Sequence, residues 1–217
     1  MKKGNESYLA TIKGIICGGA SNDMACMKYF VERNIAVIFG YGLTESTSVG
    51  TFNPIGRTRN YLSVGKPWDG IEMKLDNGEI CFKGSSIMLG YYKDTYGTLD
   101  VIHDNWLHTG DLGYLDDDGY LYITGRKKNL IILSNGENVS PEELEALLLK
   151  NTSIREVLVK EKNDKICAEI YCDVQMQDAI EAYINQVNKS LPYYKQIVLT
   201  EYRTEPFERT ASGKIKR

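Results

Sequence analysis

Three textures of apolar and polar positions follow one another along the chain. IKGIICGG (12–19) is a short β-branched apolar run broken by glycines, which reads as a buried strand delivering a tight turn. NDMACMKYFVERN (22–34) then sets Met24, Met27, Phe30 and Val31 at helical spacing, with Asn22 or Asp23 as the cap. IAVIFG (35–40) is a second continuous apolar run. Strand, helix and strand within about 30 residues make a βαβ unit, which implies a parallel pair crossed by the helix.

After residue 50 the pattern changes to hairpins. IEMKL (71–75) and EICFKG (79–84) flank Asp76-Asn77-Gly78, and LGYLD (112–116) and YLYITG (120–125) flank Asp117-Asp118-Gly119. A third texture begins near Arg126. NLIILSN (129–135) reads as a strand, and Ser140-Pro141-Glu142-Glu143 as a helix start. There Ser140 is the N-cap, Pro141 occupies the first turn and Glu143 closes a capping box. EVLVKEK (156–162) and KICAEIYCDV (165–174) form another hairpin. QDAIEAYINQVNKSL (177–191) is an amphipathic helix stopped by Pro192, and IVLTEY (197–202) is the last strand. The expected fold class is therefore α/β and α+β. A partial parallel α/β sheet covers 1–56, an antiparallel, barrel-like β subdomain covers 57–126, and a small α+β domain of about 90 residues covers 127–217. Arg126-Lys127-Lys128 lies between the last two as a hinge.

Composition narrows the function classes. With 26 Lys+Arg against 29 Asp+Glu, the net charge of −3 lacks the basic surplus of a nucleic-acid binder. No apolar run approaches the roughly 18 residues of a membrane span, and MKKGNESYLATIK has no apolar segment of the signal-peptide kind. The five cysteines are scattered without CxxC spacing and only His103 and His108 accompany them, so buried or incidental cytosolic thiols are expected rather than a zinc site. A cytoplasmic protein follows.

Four segments carry candidate chemistry. YGLTES (41–46) sits at the end of the second parallel strand, where open α/β sheets bind ligands. A Tyr there can stack on a base and a Glu can hold a divalent metal with phosphates; a solvated or capping carboxylate is the plain alternative. WLHTGDLGYL (106–115) places Asp111 after a Thr-Gly turn, where it could accept two ribose hydroxyls or simply make an Asx turn. In GRKKNLIILSNGENVSPEELE (125–145), Arg126 could pair with ribose or phosphate oxygens, or belong to a solvated basic linker. The terminal TASGKIKR (210–217) is not a Walker loop, because Glu208 and Ile215 stand where that pattern needs Gly and Ser/Thr. Alone it reads as a tail.

In order, YGLTES, a Gly-Glu-Ile strand leading to GYYKD (90–94), WLHTGD, GRKK, NGENVSPEELE and TASGK resemble the AMP-forming acyl-adenylate superfamily. That group includes acyl-CoA synthetases, peptide-synthetase adenylation domains and firefly luciferase. LIILSNGENVSPEELE is similar to the acyl-CoA ligases, and the QVKIRG-type strand of peptide synthetases is absent. The resemblance implies that a carboxylate attacks ATP to give acyl-AMP, after which a smaller C-terminal domain rotates and coenzyme A displaces AMP. It implies that Gly18, Gly19 and Tyr41 line the adenine, Thr44 bonds phosphate and Glu45 holds Mg²⁺. Asp111 would grip the ribose hydroxyls, with Arg126 adding a second contact. Lys128 falls at the family's hinge position, and Gly136 and Asn138 on the loop facing the pantetheine tunnel. Lys214, positioned by Gly213, would be the lysine of adenylation. The family's TSGTTGxPK-like phosphate loop is missing. The chain is thus expected to be the C-terminal portion of a synthetase, with a fatty acid as the expected substrate. Without neighbouring strands, the sheet edges of residues 1–50 are expected to self-associate.

Overall fold

The computed structural model describes residues 11–19, 24–53, 63–210, 213 and 215–217, which fall into two compact units, Met1–Ile123 and Thr124–Arg217. The fold class is mixed α/β and α+β, as the pattern predicts.

In the first unit β1 (Gly14–Cys17), α1 (Met24–Val31) and β2 (Ala36–Tyr41) form the expected parallel pair, in register from Gly14↔Ala36 to Cys17↔Phe39. The expected caps Asn22 and Asp23 lie outside the described residues. Val37 and Phe39 point inward at strand period and bury with Met27 from the helix. β2 continues antiparallel into β3 (Thr51–Phe52), which pairs with β4 (Lys66–Pro67).

β5 (Ile71–Asp76) and β6 (Glu79–Gly84) form the first hairpin, with Asn77 and Gly78 both at positive φ, as a tight two-residue turn requires. α2 (Thr95–Val101) follows, capped by the Asp94 carboxylate, which accepts the Gly97 N–H at 2.8 Å. β7 (Ile102–His103), β8 (Trp106–Leu115) and β9 (Leu121–Arg126) complete a sheet of order β5-β6-β8-β7, with β9 also on β8. This sheet curls as half a barrel. Ile80 and Phe82 of β6 and Leu121 of β9 are fully buried and join the Val37–Phe39 cluster, so the antiparallel and parallel sheets share one core.

In the second unit β10 (Ile131–Ile132) pairs with β11 (Asn138–Val139), and α3 (Pro141–Leu148) follows. β12 (Ile154–Lys162) and β13 (Lys165–Cys172) are antiparallel, and after α4 (Gln177–Asn188) the strand β14 (Ile197–Arg203) returns parallel to β13. Leu144 and Leu148 of α3 and Ile180 and Ile184 of α4, each pair one turn apart, bury against Val157, Val159, Ile166 and Ile170.

Two local expectations are corrected here. The strand expected over 129–135 shrinks to two residues, because the chain turns at Leu133, whose carbonyl accepts the Gly136 N–H at 2.8 Å. Ser140 stands at the N-cap without a side-chain cap: its hydroxyl donates to the Thr124 carbonyl at 2.6 Å instead. Glu143 closes no capping box and pairs with Lys195 at 2.7 Å. Among the described residues no helix is long and apolar enough to cross a membrane.

Candidate functional site

The carboxyl end of the parallel pair carries the first group of candidate residues. Gly18 and Gly19 lie just past β1 and are exposed. A Cβ on Gly18 would meet the Gly40 carbonyl at 3.2 Å, so the missing side chain lets the chain pass close to β2. Tyr41 ends β2, its ring tilted against Phe82 at 5.8 Å between centroids.

Thr44 and Glu45 occupy a single 3-10 turn, Thr44–Ser46. The buried Ser46 hydroxyl locks that turn, accepting the Leu43 N–H at 3.0 Å and donating to the Leu43 carbonyl at 3.1 Å. Thr44 is exposed. The Glu45 carboxylate accepts the Tyr91 hydroxyl at 2.7 Å, and its carbonyl accepts the Met88 N–H at 2.8 Å. That hydrogen bond to an anion, with some burial, pushes the Tyr91 phenol up to about 12.

Asp111 reaches the same place from the other sheet. Its carboxylate, 5% exposed, accepts the Tyr41 hydroxyl at 2.7 Å across 70 positions of sequence. The irregular β8 aims it. Opposite β6, the pairs Cys81↔His108 and Glu79↔Leu112 enclose two steps on β6 and four on β8. The extra residues bulge at Gly110, whose φ of +71 is left-handed. The Thr109 hydroxyl donates to the Ile80 carbonyl at 2.8 Å and accepts the Asp111 N–H at 3.1 Å.

Two side chains that the motif reading used only as landmarks belong to this site. Tyr91, from GYYKD, holds Glu45, and Glu79, from the Gly-Glu-Ile strand, accepts the Gly110 N–H at 2.9 Å. A Glu at an inward position of a strand was the available signal for the second. Among the described residues, no three His, Cys, Asp or Glu side chains cluster to hold a metal. A lone carboxylate such as Glu45 suits Mg²⁺, which binds through one or two carboxylates together with substrate phosphates.

The second unit holds the other candidates. Arg126 ends β9, and Lys128 sits in the 3-10 turn Lys127–Asn129, tied to α3 by the Asn129 amide donating to Glu142 at 2.6 Å. Gly136, at φ +85, makes the turn before β11, and Asn138 is exposed on β11. Lys214 lies outside the described residues. The neighbouring Gly213 has φ +81 and donates to the Thr210 carbonyl at 2.9 Å. Arg209 bridges Ile215, donates to the Gly213 carbonyl at 2.7 Å and pairs with Glu156. Arg217 pairs with Glu145 at 2.7 Å and Glu142 at 3.3 Å. The described part of RTASGKIKR is thus folded back onto its own unit, unlike a free tail.

The sequence matches the AMP-binding enzyme family over residues 1–92. A 2-succinylbenzoate–CoA ligase of Bacillus cytotoxicus is 32% identical over 228 residues, covering 99% of this chain and 47% of that protein. The o-succinylbenzoate CoA synthetase of Bacillus subtilis, solved with its acyl-adenylate intermediate, has a TM-score of 0.81 at 26% identity, covering 97% of this chain and 48% of that one. The chain belongs to the AMP-forming acyl-adenylate superfamily. It spans about half the length of the relatives it matches. The same Bacillus subtilis synthetase solved with ATP and magnesium ion matches with a TM-score of 0.77 at 27% identity, covering 96% of this chain and 48% of that one. A Mycobacterium tuberculosis fatty acyl CoA synthetase matches with a TM-score of 0.61 at 29% identity, covering 96% of this chain and 45% of that one.

Most of these names do not support the fatty-acid expectation. The curated relative and the structures that superpose best among these are named for succinylbenzoate, and the fatty acyl enzyme superposes less well. That expectation came with the motif order as a whole, and LIILSNGENVSPEELE, which is similar to the acyl-CoA ligases, says nothing about the shape of an acyl group.

Proposed function

We propose that the chain is the C-terminal part of an ATP-dependent, AMP-forming acyl-CoA ligase acting on a 2-succinylbenzoate-type aromatic acid. The observation that carries the reading is the Tyr41–Asp111 hydrogen bond, which brings the ends of two motifs together. In this reading Asp111 accepts the ribose hydroxyls of the adenylate, while Tyr41 orients that carboxylate and offers a ring face beside Gly18 and Gly19 for the base. Thr44 donates to phosphate. Glu45 would hold Mg²⁺ together with the phosphates, and the ion would supply positive charge beside them. Adenylation gathers negative charge on phosphorus and the leaving pyrophosphate, which positioned cations stabilise.

The second unit supplies the mobile part. Arg126 adds a ribose contact, Lys128 serves as hinge, Lys214 serves the adenylation step, and the Gly136–Asn138 loop serves thioester formation with coenzyme A. A domain that moves between half-reactions can present its lysine for one and withdraw it for the next.

Equilibrium dialysis of the 217-residue chain against AMP tests the binding half of this reading. Asp111→Asn is expected to weaken AMP about 10- to 100-fold, the scale of lost hydrogen bonds to a charged group. In a full-length ligase carrying this segment, Lys214→Ala is expected to abolish pyrophosphate exchange with 2-succinylbenzoate and spare AMP binding. AMP binding indifferent to Asp111, or exchange indifferent to Lys214, would refute the assignment.

A further inference from the structure

Only two carboxylates are buried in the first unit among its described residues, Asp111 and Glu79. The first has a role in the proposed site. The second, 6% exposed, lies on β6. Burying a carboxylate is costly unless its hydrogen bonds return the energy. Each oxygen of Glu79 makes a contact with the turn that carries Asp111. Oε1 accepts the Gly110 N–H at 2.9 Å, and Oε2 lies 3.3 Å from His108 Nδ1. His108 is packed edge-on against His103, with ring centroids 4.9 Å apart, and also contacts the Cys81 sulfur at 3.5 Å.

We infer that Glu79 is a positioning residue for Asp111, clamping the His108–Gly110 bulge so that the carboxylate projects toward Tyr41. A regular β8 would carry no extra residues between its pairs with Cys81 and Glu79, and the direction of Asp111 depends on them. Gly110 supplies the left-handed backbone that makes the bulge possible, but its N–H needs a buried acceptor, and Glu79 is that acceptor. The amide analogue tests the geometry without the charge. A glutamine can still accept from Gly110 and keeps a polar partner for the Nδ1 of His108.

This inference rests on the reading of Asp111 as the ribose acceptor, so the test reads both ligand binding and the free protein. In the 217-residue chain, Glu79→Ala is expected to weaken AMP at least about tenfold. It should also shift the Gly110 amide and Asp111 carboxyl ¹³C resonances without ligand. Glu79→Gln is expected to restore AMP affinity to within about threefold of the parent chain, because it keeps both contacts. Leu121→Val, which trims the same core away from the bulge, should lower thermal stability and leave AMP affinity unchanged. If Glu79→Ala does not fold, Glu79→Asp replaces it, since the shorter side chain cannot reach both partners, with the same losses expected. Unchanged Gly110 and Asp111 resonances in these variants overturn the inference, as does a Leu121→Val variant that loses AMP equally. If the parent chain binds no AMP while the resonances move, the clamp stands and the ribose reading falls.

Discussion

Replacing Tyr41 by Phe removes one hydroxyl and keeps the ring. The ring still packs on Phe82, so no cavity contributes, and the change removes the 2.7 Å bond to Asp111. A hydrogen bond to a charged partner is worth about 1.5–3 kcal/mol, and its loss leaves a buried carboxylate one donor short. With a urea slope of about 1–3 kcal/mol per molar, a loss near 2 kcal/mol lowers the unfolding midpoint by about 1 M. Both tryptophans of the chain, Trp68 and Trp106, lie in the first unit, so their fluorescence follows that unit's transition. In an Asp111→Asn background the bond becomes neutral, and Tyr41→Phe should then cost only about 0.5–1.5 kcal/mol. A midpoint shift below about 0.2 M in the parent background, or the same cost in both backgrounds, would refute the coupling.

Three further outcomes follow from the same geometry. The Tyr91 phenol, raised to about 12 by Glu45, is favoured in its neutral form, so that contribution is complete below the ordinary tyrosine value near 10 and fades as pH rises through about 12. Glu45→Gln should return Tyr91 toward 10 in a ¹³Cζ-tyrosine NMR titration, and a value that stays put would count against the pair. Burial pushes the Glu156 carboxyl up, but Arg209 and the Phe207 N–H outweigh it and hold it below the ordinary range. Its stabilising share is therefore present above about pH 4.3 and lost as acid titrates the depressed group, so Glu156→Gln should destabilise at pH 7 and flatten acid unfolding followed by circular dichroism. Among the described residues β1 ends its sheet, and Ile16 is 81% exposed, so the chain is expected to self-associate there and Ile16→Lys to shift it toward monomer in sedimentation velocity. A parent chain that is monomeric throughout would contradict this.

Much of the fold was legible because each texture has its own period. The β-branched runs 12–19 and 35–40 with a helical stripe between them could only close as a parallel pair, and the turn residues at 76–78 marked their hairpin. Local hydrogen-bond competition was not legible. Nothing near Ser140 in sequence announces that Thr124 will take its hydroxyl, and the strand at 129–135 was cut short by a turn its apolar pattern conceals. At the site, residue types and motif order singled out Tyr41, Glu45 and Asp111, but their partners were hidden. The Tyr41–Asp111 bond spans 70 positions, and the Glu79 clamp depends on a bulge that no periodicity encodes.

The central claim is that Asp111 holds the two ribose hydroxyls of an adenylate. Its most direct test compares the affinity of the 217-residue chain for AMP and for 2′,3′-dideoxy-AMP, in the parent sequence and in Asp111→Asn. The account predicts that the parent chain prefers AMP by about tenfold or more and that the substitution removes the preference. Equal affinity for both nucleotides in the parent chain, or a preference that survives in Asp111→Asn, would contradict it.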